Sequence, residues 1–262
     1  QPEAIGGYLP LAKVYSFNPV PDTLSADKVQ LVYGVQANLF TEYIPTPEHA
    51  EMMIYPRILA LAEVAWSAPS VKNYDDFHVR ALKEVEALKA EGYHPFELKN
   101  EIGNRPGADQ PIQHLAVGKK VTYGPDAAYY PGYSAGGDSA LVDGVIGGWT
   151  YGDKRWQGFI DKKRMDVTID MEKETEIHSV GADFMQVCGP EVFMPSEVII
   201  SVSNDGKEFT ELKRMEHKVV KDDKVTFTNF GWEGNAKARY IRYQASSGEF
   251  GGFLFTDEIV VK

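Results

Sequence analysis

The texture of this sequence changes once, and that change limits what the chain can fold into. Before residue 99, apolar residues recur at helical spacing; after residue 112, they alternate in short runs broken by turn residues. Between the two lies Lys-Asn-Glu-Ile-Gly-Asn-Arg-Pro-Gly-Ala-Asp-Gln-Pro, residues 99–111, which is polar and rich in Gly and Pro, as a linker or domain boundary is. The expected fold class is therefore α/β followed by all-β, with units at 1–98 and 112–262 joined by 99–111. A chain of 262 residues has room for two ordinary domains.

Residues 28–43 contain a mostly apolar run, as expected of a strand covered on both faces. Pro45 stops it. Thr46 then stands where a helix N-cap belongs, with Pro47 at the first helical position and Glu48 in the first turn. From there to Ser67 the pattern is helical, with Met52, Tyr55, Leu59, Ala62 and Trp66 as the apolar stripe and Ile58, Leu61 and Ala65 widening it. Pro69 closes that helix. A second helix is expected from Asp75 to Glu91, with Phe77, Ala81, Val85 and Leu88 on one face and Gly92 just past its end. A buried strand followed by amphipathic helices reads as the last unit of an α/β fold.

The later half offers Asp166–Asp170, Ile177–Ala182, Glu197–Ser203, Lys224–Thr228, Ala238–Tyr243 and Glu258–Val261 as alternating segments. Asn204-Asp205-Gly206 and Ser246-Ser247-Gly248 supply turn chemistry between them. Short strands at this spacing predict a β-sandwich.

The formal net charge of −11 argues against a nucleic-acid surface, which needs clustered Lys and Arg. The densest basic run, Lys162-Lys163-Arg164, sits beside Asp161 and Asp166 and reads as a solvated turn. No stretch is apolar for the roughly 18 residues of a membrane span. The single cysteine, Cys188, excludes an intrachain disulfide and a cysteine-based zinc site. The chain opens at Gln1 straight into apolar sequence, without a signal-peptide pattern, and the expectation is that it is the tail of a larger protein.

Three separated motifs carry a family resemblance: Gly7-Tyr-Leu-Pro-Leu-Ala-Lys-Val-Tyr15, Gly34-Val-Gln-Ala-Asn-Leu-Phe-Thr-Glu-Tyr43 and Tyr55-Pro-Arg-Ile-Leu-Ala-Leu-Ala-Glu-Val-Ala-Trp-Ser67. In this order they resemble the end of the catalytic barrel of glycoside hydrolase family 20, the β-N-acetylhexosaminidases. The resemblance implies the terminal strand-helix part of a (β/α)8 barrel. It also implies removal of terminal GlcNAc or GalNAc by retaining hydrolysis in which the substrate's own acetamido oxygen attacks the anomeric carbon. A periplasmic, cell-surface or secreted setting follows from the same likeness.

The family needs a consecutive Asp-Glu pair in the barrel. The Asp-Glu dipeptide of this chain, Asp257-Glu258, lies at the far end of the β-rich part, so no catalytic residue is expected here. The family's Trp-x-Glu element stands as Phe40-Thr41-Glu42. The resemblance makes Glu42 the acceptor of sugar hydroxyls and Phe40 the apolar wall under the ring.

Residues 112–262 resemble a galactose-binding-like, jelly-roll sandwich of the coagulation factor 5/8 type C (discoidin) group. The matching pieces are Ala140-Leu-Val-Asp-Gly144, Trp149, Trp156-Gln-Gly158, Asp166-Val-Thr-Ile-Asp170, Ser201-Val-Ser-Asn-Asp-Gly206 and Ala238-Arg-Tyr-Ile-Arg-Tyr243. Such modules bind carbohydrate through end loops, which nominates Trp149, Tyr151, Arg155 and Trp156, with Trp232 and Phe250 further along. No cofactor is required; a structural calcium is a further implication, with Asp143 and Glu258 as its ligands. The alternatives left open are a non-catalytic carbohydrate-binding protein and a protein-interaction module.

Overall fold

The computed structural model describes residues 9–41, 44–101, 105–125, 127–160, 165–222 and 225–262. They divide into two compact units, residues 9–101 and 105–262. Glu42, Tyr43 and the basic run Lys162–Arg164 lie outside the described residues. No helix among the described residues is long and apolar enough to cross a membrane.

The first unit is helical, with α1 (Leu11–Tyr15), α2 (Pro47–Ile54), α3 (Arg57–Trp66) and α4 (Tyr74–Ala90). Thr46 caps α2, its side chain accepting the His49 N–H at 3.1 Å, and Pro47 opens the helix. The helix expected to run on to Ser67 breaks at Tyr55–Pro56. Pro56 brings no N–H for the helical ladder, and Tyr55 before it is extended (φ −93°, ψ 137°). Asn73 caps α4 by accepting the N–H groups of Asp75 and Asp76.

The unit's core is Leu11, Tyr15, Ala60, Phe77, Ala81, Val85 and Leu98. The stripe expected on α2 and α3 is displaced, with Met53, Ala60 and Val64 buried and Trp66 91% exposed, whereas Phe77, Ala81 and Val85 of α4 are buried as expected. Arg-Ile-Leu-Ala-Leu-Ala-Glu-Val-Ala-Trp is apolar on more than one face, so its periodicity cannot choose the buried side. The Tyr15 hydroxyl donates to Glu63 at 2.8 Å, and Glu63 pairs with Arg80 at 2.7 Å, which ties α1, α3 and α4 together.

Over residues 28–41, the described part of the run expected as a strand, no strand is formed. Ala26–Leu31 is a 3-10 helix and residues 32–41 have no regular structure. A parallel barrel strand satisfies its backbone only through neighbouring strands, and among the described residues the first unit has none.

The second unit is an antiparallel sandwich of β1 (Lys120–Tyr123), β2 (Gln157–Ile160), β3 (Met165–Gln186), β4 (Pro195–Ser203), β5 (Thr210–Glu216), β6 (Thr226–Ser247) and β7 (Phe253–Val261). Segments expected as separate short strands are halves of two 22-residue strands, β3 and β6. Their register shifts between Asp170 and Thr175, where Glu172 takes φ 69° and its N–H reaches Asp170 at 2.8 Å. This bend lets each strand serve two layers. The first layer is ordered β5-β4-β6-β3-β1 through residues 165–170 and 240–247; the second is β2-β7-β3-β6 through residues 175–186 and 226–238.

Alternation along the strands turns Val167, Ile169, Ile200, Ile241 and Tyr243 of the first layer against Val180, Ala182, Phe184, Ile259 and Val261 of the second. Each buried Val, Ile or Phe among them contributes about 1.5–3 kcal/mol. The Tyr243 hydroxyl, sealed in that core, donates to the Phe230 carbonyl at 2.8 Å. The outer face of the second layer is also covered, by a smaller cluster of Trp156, Met185, Val192 and Phe255. Gln157, fully buried, holds the long β1–β2 connection there by donating to Ser134 and Gly137 carbonyls and accepting the Tyr123 hydroxyl.

Candidate functional site

Three connections between the layers gather at one end of the sandwich: residues 187–194, the described residues 217–222, and 248–252. The strand register brings their anchors together, pairing Pro195 with Ser247 and Glu197 with Glu216 in the first layer, and Gln186 with Thr226 in the second. Gln186 ties two of them, its side chain donating to the Val220 carbonyl at 2.8 Å and accepting the Met194 N–H at 3.3 Å. Two backbone bonds cross the base, Phe253 N–H to the Glu191 carbonyl at 2.8 Å and Phe193 N–H to the Phe253 carbonyl at 3.0 Å.

On this frame Phe250 is 37% exposed and leans on buried Phe193, ring centres 5.4 Å apart. The Lys221 ammonium stands 4.2 Å from the Phe250 ring centre. Exposed Val220 and Tyr130 extend the apolar surface, and Tyr130 meets Phe253 edge-on at 5.7 Å. Exposed carboxylates Glu191 and Glu249 belong to the same connections. A partly exposed aromatic ring beside charged donors and acceptors can take the C–H face of a sugar ring and its hydroxyls once the Lys221 ammonium swings aside.

The residues nominated for sugar contact near position 150 are placed otherwise. Trp156 is fully buried, stacked on Phe227 at 5.7 Å, with its indole N–H donating to the Gly148 carbonyl at 3.1 Å. It presents no face to a ligand. Tyr151 is stacked on Phe255 at 4.9 Å and Trp149 meets Phe227 edge-on at 5.1 Å, both partly buried in the same layer. Arg155 is exposed, but its guanidinium holds the Ala108 carbonyl at 2.7 Å. In the first unit Phe40 is 76% exposed in an irregular segment.

Asp257 and Glu258, the chain's Asp-Glu pair, are both buried and each has a basic partner from the preceding segment. Asp257 pairs with Arg105, and burial pushes its carboxyl up to about 6 against the lowering effect of that guanidinium. Glu258 Oε1 accepts from His114 Nε2 at 2.7 Å and from the Gly144 N–H at 2.8 Å. His114 Nδ1 accepts the Ala116 and Val261 N–H groups, which assigns the proton to Nε2. Burial raises the Glu258 carboxyl more than these bonds lower it.

Glu258 Oε2 is buried without a hydrogen-bond partner among the described residues, which suits an oxygen-seeking cation. Asp143 is exposed and its carboxylate accepts the Val145 N–H at 2.8 Å. No three His, Cys, Asp or Glu side chains converge among the described residues, so the rest of a calcium shell would fall to backbone carbonyls. Sequence reasoning missed Arg105 and His114; neither the polar, Pro-Gly-rich segment 99–111 nor the residues just after it give a sign that these side chains are buried.

The model of the glycosyl hydrolase family 20 catalytic domain matches residues 1–69, and that of the F5/8 type C domain matches residues 126–259. A beta-hexosaminidase from Porphyromonas gingivalis is 49% identical over 77 residues, which are 29% of this chain and 10% of that protein. A beta-N-acetylhexosaminidase from Cellulomonas fimi is 34% identical over 79 residues, 30% of this chain and 16% of that protein. The matched stretch thus spans a small fraction of these relatives.

Among solved structures, chitosan-binding module 1 of a Paenibacillus chitosanase/glucanase aligns at 16% identity and TM-score 0.39, covering 58% of this chain and 99% of that one. CpGH89CBM32-5 from Clostridium perfringens, solved with GalNAc-β-1,3-galactose, aligns at 20% identity and TM-score 0.37, covering 57% and 99%. Over half of its length the chain belongs to the F5/8 type C domain family, and ahead of that domain its residues 1–69 are similar to part of the glycosyl hydrolase family 20 catalytic domain.

Proposed function

We propose that this chain is part of an exo-acting β-N-acetylhexosaminidase that removes terminal GlcNAc or GalNAc, with a sandwich that binds glycan. The observation that carries this reading is the family 20 match over residues 1–69, which contains Phe40 and Glu42, together with the close hexosaminidase relative. In the assembled enzyme Glu42 accepts sugar hydroxyls and Phe40 walls the ring. The substrate's acetamido group supplies the nucleophile, and a carboxylic acid outside this sequence protonates the leaving oxygen. Burial of Asp257 and Glu258 against Arg105 and His114 supports excluding them from that role. The chain by itself turns nothing over; robust hydrolysis of an aryl N-acetyl-β-glucosaminide by the purified polypeptide would overturn this.

For the sandwich, the exposed ring of Phe250 over Phe193 supports glycan contact at the loop end. It equally favours the second reading, a carbohydrate-binding protein without catalysis. The full chain and its Phe250→Ala variant on a glycan array test the contact. Specific binding lost in the variant supports it, and binding unchanged by the substitution counts against it. A calcium ion held by Asp143 and Glu258 belongs to the same proposal. Its measure is a thermal melt with calcium against chelator, expected higher with calcium and flattened by Glu258→Gln.

A further inference from the structure

Arg105 is 4% exposed, unusual for a residue in a polar, Pro-Gly-rich segment. Its guanidinium carbon stands 4.8 Å from the ring centres of both Trp156 and Phe227. Its nitrogens donate to the carboxylates of Asp257 and Asp183 and, at 2.8 Å, to the Gly147 carbonyl. We propose that the outer face of the second layer carries a receptor for a guanidinium cation, and that Arg105, on the strap of residues 105–112, is its tethered occupant.

The walls of this receptor are held independently of Arg105. Asp257 also accepts the Gly147 N–H at 3.0 Å and the Glu258 N–H at 2.8 Å. Asp183 accepts the Asn229 side-chain N–H at 2.7 Å. Trp156 is fixed by its stack on Phe227 and its bond to Gly148. Each wall therefore keeps its position through groups other than Arg105, and the pocket is pre-organised. Two carboxylates face one cation, leaving the receptor anionic. Two aromatic faces and a fork of acceptors favour a planar guanidinium over an ammonium point charge. Asp183 is 35% exposed at its side chain, so the pocket opens to solvent on that edge. The strap is secured separately, by Arg155 on the Ala108 carbonyl and by Ile112 N–H to the Gly144 carbonyl at 2.8 Å. Arg155 thereby acts as a positioning residue for the strap.

The experiment is chemical rescue in the full chain. Arg105→Ala, with Arg105→Gln beside it, is melted against rising methylguanidinium, with sodium chloride as the ionic control. The expected result is a saturable rise in melting temperature; at ten times the dissociation constant the folded-to-unfolded ratio grows about 11-fold. The rise is absent from wild type, whose receptor is filled, and from Arg105→Ala/Asp257→Asn. Should neither single variant fold unaided, methylguanidinium is expected to restore refolding. No saturable response and no restored refolding, or an equal response in wild type or in the double variant, overturns the proposal.

Discussion

Replacing Gly252 with alanine tests how the loop end is built. Gly252 takes φ 70°, and a Cβ there would stand 2.2 Å from the Glu191 carbonyl oxygen and 3.1 Å from the Phe193 ring. Left-handed backbone costs an L-residue about 1–2 kcal/mol. The Glu191 carbonyl accepts the Phe253 N–H, and displacing it forfeits about 1 kcal/mol more. Gly251 is the internal control: it has φ 63°, but nothing lies within 4 Å of its Cβ position. Gly251→Ala should therefore cost only the backbone share, and Gly252→Ala about 2–3 kcal/mol. At roughly 2–4 °C per kcal/mol, the sandwich transition in scanning calorimetry falls by about 4–12 °C for Gly252→Ala. Glycan binding should fall with it, because Phe193 backs Phe250. A Gly252→Ala melting temperature equal to or above that of Gly251→Ala refutes the packing argument.

Trp156→Ala should cost about 3–5 kcal/mol of unfolding free energy in denaturant titration, whereas Phe250→Ala, on the surface, should leave stability within about 0.5 kcal/mol and act on binding alone. Asp257 titrates at about 6 in the fold against the ordinary 3.8. The folded state therefore binds the proton more tightly, and this group's contribution is present at low pH and lost as pH rises through 6. Between pH 7 and pH 5 wild type should gain roughly 1 kcal/mol relative to Asp257→Asn, read from parallel denaturant titrations; a loss over that range would show that Arg105 and the N–H donors outweigh burial and favour the carboxylate. Glu63→Ala removes the acceptor shared by Tyr15 and Arg80 and should lower the first unit's stability in denaturant titration by about 1 kcal/mol.

Local chemistry was legible. Asn204-Asp205-Gly206 folds as the turn its composition dictates, with Asp205 accepting the Lys207 and Glu208 N–H groups, and the caps at Thr46 and on α4 follow from short-range rules. What could not be read required partners distant in sequence. The ladders of β3 and β6 were visible as fragments, but only the Asp170–Thr175 bend shows that the fragments are continuous. Arg105 meets Asp257 across 152 residues and His114 meets Glu258 across 144, so a segment from 105 onward that reads as linker is packed into the sandwich. Conversely, the apolar run near 28–43 reads as a strand because its pattern carries no information about whether pairing neighbours exist. The aromatic residues near 150 stand together in the sequence; that Trp156 faces the sheet depends on Phe227, supplied by β6. Phe250 stood out less in sequence because its exposure is set by the turn at Gly251 and Gly252.

The two 22-residue strands that cross between layers have a mechanical consequence. Because the same backbone is hydrogen-bonded into both sheets, neither can be peeled away while the other stays intact. A slip of one residue in either would turn the apolar set of both layers outward together. The sandwich should therefore open in a single concerted event, with amide exchange in β3 and β6 equally slow on either side of the bend.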